Sequence, residues 1–184
     1  MKKIIILSAV ALFSLTPAMF AQDFDLRILD KLSTGAKSST NVTLEASMLK
    51  LAAQFLGSDD DKDTAAIKSL VANLKGIYVR AYEFDKPGAY SPSDLEPLRA
   101  FLRQPQWATI VDVRDGKSST QLCVMPTPNN KLGAVALVST EPTAVTVVYI
   151  NGTLEMSDVE KLGGSMGIPD LKRLTDKVPK KAGK

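Results

Sequence analysis

The run Val145-Thr-Val-Val-Tyr-Ile150 decides the fold. Successive side chains of an extended chain point to opposite faces. Val145, Val147 and Tyr149 therefore share one face, and Thr146, Val148 and Ile150 share the other. Both faces are apolar, which marks a central strand or a sheet face covered by a partner. Upstream, Leu132 to Thr140 is a second such run, separated by the break Glu141-Pro142. Thr120 to Met125 precedes it across the turn Pro126 to Lys131, and Trp107 to Arg114 precedes that across Asp115-Gly116, a strong hairpin signal. Spacers this short argue for an antiparallel meander. Further back, Ile77 to Phe84 alternates and is rich in β-branched and aromatic residues, as a strand is.

The first half reads mainly as helix. Phe24, Ile28, Leu29 and Leu32 have helical spacing, and Asp23 or Asp25 supports the N-terminus. Ser33 to Thr40 is small and polar and reads as a loop, with a short strand at Val42 to Leu44. Leu44, Met48, Leu51, Ala52 and Phe55 line one face of a helix from about Glu45 to Leu56, with Gly57 as its cap. A further helix carries the stripe Ile67, Leu70, Val71 and Leu74. Ser93-Asp-Leu-Glu96 has the form of a capping box, Pro97 falls in the first turn, and Leu95, Leu98, Phe101 and Leu102 supply an apolar face. Short helices are expected at Asp158 to Leu162 and Asp170 to Leu174. The order implies an α+β domain: a largely antiparallel sheet of about five strands with helices packed on one face.

Composition sets the address and excludes much chemistry. Lys2 and Lys3, then the apolar run Ile4 to Leu15, then Pro17 and a small residue at Ala21 have the form of a secretory signal peptide. The run is shorter than the roughly 20 residues of a membrane span. We therefore expect a leader over residues 1–21, one domain over 22–176 and a basic tail over 177–184, with the protein periplasmic or secreted and holding no stable membrane span once the leader is removed. Lys2 and Lys3 leave with the leader, taking the formal charge from +3 to +1. The tail holds four lysines and no acid, so residues 22–176 carry −3. That balance argues against nucleic acid as a partner.

The chain has no histidine, which removes Ser-His-Asp triads, Cys-His dyads and histidine metal sites. One cysteine, Cys123, excludes an intramolecular disulfide, and its apolar flanks predict burial. Asp59, Asp60, Asp61 and Asp63 invite a calcium loop, but Thr64 and Leu70 stand where an EF-hand needs glycine and glutamate. Acids at a helix N-terminus explain them better. Gly163-Gly-Ser-Met-Gly167 lacks the lysine of a phosphate loop. No catalytic residue, metal or cofactor is expected. The candidate binding residues come from strand geometry: Tyr78, Arg80 and Tyr82 share a face of one strand, and Asp112 and Arg114 share a face of another. If those strands pair, the five form an aromatic and charged platform of the kind that anchors interfaces.

Four segments carry a resemblance: Val42 to Ala52, Leu74 to Phe84, Trp107 to Gly116 and Val148 to Gly152. Together they are similar to the bacterial exported family called domain of unknown function 4252, over roughly Asp25 to Leu162. The resemblance implies export in a Gram-negative bacterium and a role in envelope sensing. It carries over no functional residue, because the family has no established activity. Many members look like lipoproteins, and this chain departs from them in having no cysteine at the cut site. The expected function is thus a non-enzymatic binding or regulatory module with an envelope protein as partner. The alternative is a histidine-independent, hydrolase-like carboxylate enzyme drawing on Asp112, Glu83 and Asp85.

Overall fold

A computed structural model describes residues 25–56 and 62–158. The expected leader, the Gly57 cap, the aspartates 59–61, the helices and glycine run beyond residue 158 and the basic tail lie outside the described residues, as does the side chain of Asp63. Six strands form one antiparallel sheet: β1 (Ser38–Glu45), β2 (Leu74–Glu83), β3 (Ala108–Asp115), β4 (Ser118–Thr127), β5 (Lys131–Glu141) and β6 (Ala144–Leu154). Their spatial order is β1-β2-β6-β5-β4-β3. The helices α1 (Ala46–Phe55) and α2 (Lys62–Ala72) join β1 to β2, and α3 (Glu96–Leu102) lies between β2 and β3.

The α+β reading holds, with β6 and β5 at the centre as two-faced apolar strands require. The sixth strand is β1. Its first four residues are exposed on both faces, so no alternation marks them, and most of the expected loop Ser33 to Thr40 is in fact edge strand and helix. Helices cover both sides of the sheet, not one. On the first side Val145, Val147 and Tyr149 pack with Leu98, Phe101 and Trp107. On the second Val148 and Ile150 pack with Leu49 of α1 and Leu70 of α2.

The segment Leu26–Gly35 is a 3-10 helix and not an α-helix. Leu26, Leu29 and Leu32 are buried while Ile28 is exposed, the three-residue spacing that a 3-10 turn puts on one side. α1 is rotated from its expected face. Leu49 is buried and Ala46 and Ala53 half-buried, whereas Met48, Leu51 and Phe55 are 53%, 55% and 83% exposed. Small residues at that contact let the helix approach α2 and the sheet closely. Ile67, expected in the buried stripe of α2, is also exposed. The apolar face of α3 is buried as expected, through Leu98, Phe101 and Leu102, with Leu95 just before it.

The capping box sits two residues earlier than expected. Ser91 caps a 3-10 turn at Pro92–Leu95, and Asp94 accepts a hydrogen bond from the Ser91 N–H at 2.8 Å. Pro92 suits the first helical position and so draws the helix start back to Ser91. Two-residue loops close the β3–β4 and β5–β6 hairpins. In the former, Gly116 takes φ 58°, which a residue without Cβ adopts freely.

Leu29→Ala should cost about 2–5 kcal/mol and Ile28→Ala under about 0.5. Urea denaturation checks this, and equal losses would contradict the three-residue spacing. The Ser91 N–H holds the Asp94 carboxyl below the usual carboxylate value. A lowered folded-state pKa stabilises above the unfolded value, near 3.9, and that contribution is lost as pH falls through the folded one. Asp94→Ala should therefore cost about 1 kcal/mol at neutral pH. The gap to wild type should narrow below about pH 4, as measured by denaturation at pH 7 and pH 3.

Candidate functional site

The expected platform of Tyr78, Arg80, Tyr82, Asp112 and Arg114 does not form as one surface. β2 and β3 are not neighbours, since β6, β5 and β4 lie between them, and four strand spacings separate their axes by roughly 19 Å. Pairing depends on which strands bury two apolar faces, and β6 claims the place beside β2. The five residues fall instead at opposite ends of one sheet face, which α3 covers in the middle and the 3-10 helix covers toward β2. Each end opens into a cavity.

The smaller cavity, about 290 Å³, is lined by Asp25, Arg27, Thr43, Glu45, Tyr78 and Arg80, with Leu26 and Tyr149. Arg80 is only 7% exposed. Its Nη1 donates to the Val42 carbonyl at 3.0 Å and both Nη atoms lie 3.3 Å from Thr43 Oγ1. Its Nε lies 3.5 Å from Asp30 of the 3-10 helix. Arg80 thus ties β1, β2 and the 3-10 helix together. Tyr82 is buried at 1% exposure, so it cannot meet a ligand. Burial pushes its phenol above the usual value, and the Asp30 charge adds to the shift. Tyr78 is half-buried and stacks on Tyr149 at 5.9 Å.

The larger cavity is a groove of about 570 Å³ between α3 and the β3–β4 hairpin. One wall holds Glu96, Arg99 and Arg103, and the other Asp112, Arg114 and Lys117. The floor is a polar patch at the end of a face whose middle is apolar. Arg114 pairs across the strands with Ser119, and Ser119 with Thr140; Asp112 pairs with Gln121. Ser119 and Thr140 join hydroxyls at 2.9 Å. Arg114 Nε lies 3.5 Å from Asp112, Arg103 bridges Glu96, and Arg99 Nη1 donates to the Pro92 carbonyl at 3.2 Å. Tyr90 closes one end, donating to the Glu141 carbonyl at 2.6 Å and stacking on Phe84 at 5.0 Å.

Of the residues singled out from sequence, this groove holds Asp112 and Arg114. Arg99, Arg103 and Lys117 were missed. The first two are four apart, Arg99 on α3 and Arg103 at its C-terminal cap, off the apolar stripe of Leu98, Phe101 and Leu102, which is the local signal of a shared side. Asp112, Glu83 and Asp85 are not gathered: Asp112 lines the groove, Glu83 ends β2 four strands away, and Asp85 pairs with Lys37 at 3.7 Å. Cys123 is buried, and burial pushes its thiol above the usual value. Among the described residues, no group of three or more cysteine or carboxylate side chains is placed to hold a metal ion, and no helix is long and apolar enough to cross a membrane.

A family model described as Domain of unknown function (DUF4252) matches residues 34–162, well over half of the chain. The chain belongs to that family. The matched region takes in all six strands and both walls of the groove. No curated protein and no solved structure matches the chain.

The two arginines of the expected platform have different work. Arg80→Met should cost about 1–3 kcal/mol, because it removes the part-buried bonds from Arg80 to Val42 and Thr43 that tie β2 to β1. The exposed Arg114→Met should stay within about 0.5 kcal/mol. Chemical denaturation of both variants checks this, and equal losses would remove the structural role of Arg80.

Proposed function

We propose that this member of the family is an exported, periplasmic or secreted, binding or regulatory module that acts on an envelope partner through the larger groove. The observation that carries this reading is the groove itself. It is an open cleft of about 570 Å³, within the range of ligand sites, with guanidinium groups on both walls and hydroxyls on its floor. Arginine is enriched where interfaces bind most tightly. Its two carboxylates, Glu96 and Asp112, each face an arginine, an arrangement that suits recognition better than proton transfer. Export rests on the form of residues 1–21, and the link to envelope sensing rests on the family resemblance.

The test is a crosslinked pull-down of the tagged mature protein from native envelope extract, read by mass spectrometry. Wild type should capture one dominant partner, and Arg99→Glu with Arg114→Glu should reduce its yield by about tenfold or more. Capture unchanged by the double variant would remove the groove from the function.

A further inference from the structure

We infer that the larger groove takes its ligand by an anionic group, a carboxylate or a phosphate, held between Arg99 on α3 and Arg114 and Lys117 on the β3–β4 hairpin. This deepens the binding role proposed above and rests on it. Four cations line the groove, Arg99, Arg103, Arg114 and Lys117, against two carboxylates. Both carboxylates are already committed, Glu96 to Arg103 and Asp112 to Arg114. Among the described residues, Arg99 and Lys117 have no acidic partner. The groove therefore carries an excess of positive charge in a domain whose own balance over residues 22–176 is −3.

Three of the four cations also have a partner that orients them. Arg99 is anchored by its bond to the Pro92 carbonyl, and Arg103 and Arg114 by their carboxylates. A guanidinium so oriented keeps further N–H donors for an oxyanion. The floor opposes no anion. Ser119, Thr140 and Gln121 are neutral, and hydroxyl and amide groups can donate to oxygen. The smaller cavity makes the contrast. Its Arg27 and Arg80 are balanced by Asp25 and Glu45, and Arg27 is bound to Asp25 at 2.7 Å.

The probes are a capped triglutamate peptide, inorganic phosphate and a capped triglutamine peptide as the neutral control, each titrated into the 15N-labelled protein at low ionic strength. Saturable amide shifts over residues 96–103 and 112–121 are expected from one or both anionic probes and not from the neutral peptide. The anionic probe that binds more tightly identifies the group. Affinity should fall about tenfold or more in Arg99→Gln with Lys117→Gln. If that protein misfolds, Lys117→Gln alone should still weaken binding by about threefold. No saturable shift, equal shifts from the neutral peptide, or wild-type affinity in the folded variants would overturn the proposal. If the anionic probes fail while envelope capture still depends on Arg99 and Arg114, the binding role stands and the anionic ligand falls. If capture is also independent of the groove, both fall.

Discussion

A strand without a polar face is stable only where both of its faces are kept from water, and β6 imposes that condition on the whole molecule. Val145 and Val147 are fully buried on one side and Val148 and Ile150 nearly so on the other. Meeting the condition requires a layer on each side of the sheet and a neighbour along each edge of the strand. The two layers come from different parts of the chain: α1 and α2 on one side, the 3-10 helix and α3 on the other. The neighbours are β5, through a two-residue loop, and β2, from far upstream. What remains for the edges is polar or charged: β1, which begins Ser-Ser-Thr-Asn, and β3, which carries Asp112, Arg114 and Asp115. Such residues at a sheet edge also discourage pairing with other chains.

The groove is a by-product of the same arrangement. α3 covers the middle of its face with Leu98, Phe101 and Leu102, and beyond its reach the strands turn polar at Asp112, Ser119, Gln121 and Thr140. The helix turns its arginines toward that uncovered end. Arg80 and Arg114, alike as residues, take unlike roles because the 3-10 helix lies over one end of the face and leaves the other open.

Local pattern made the elements legible. The strands from Trp107 onward lie within a few residues of their expected bounds, the face of α3 is as its spacing implies, and Cys123 is buried as its apolar flanks suggest. What local pattern could not convey was contact between distant segments. The partner of β2 is chosen by competition among strands, so the platform built on a β2–β3 pair failed although each half was placed on the right face. β1 was legible only at Val42 to Leu44, because its first four residues are exposed on both sides and show no hydrophobic period. The face of α1 misled because its larger apolar residues, Met48, Leu51 and Phe55, point outward while Leu49 flanked by alanines packs inward. The 3-10 helix shows the same limit more finely: Leu26, Leu29 and Leu32 fit a period of three, and Leu29 and Leu32 fit a longer one as well.

The strand order also sets a sequence of events in time. β3 to β6 are joined by short connections, so their pairing closes small loops and is entropically cheap. β2 pairs with β6 by bringing Tyr78 opposite Tyr149, across the whole of the intervening chain. Contacts of that separation form late and slowly, and they need the meander as a template. A chain emerging from its N-terminus therefore carries β1 and β2 for as long as it takes to complete β6, with the hydrogen-bonding edge of β2 unclaimed. The last of the six described strands is the one that allows the first two of them to join the sheet.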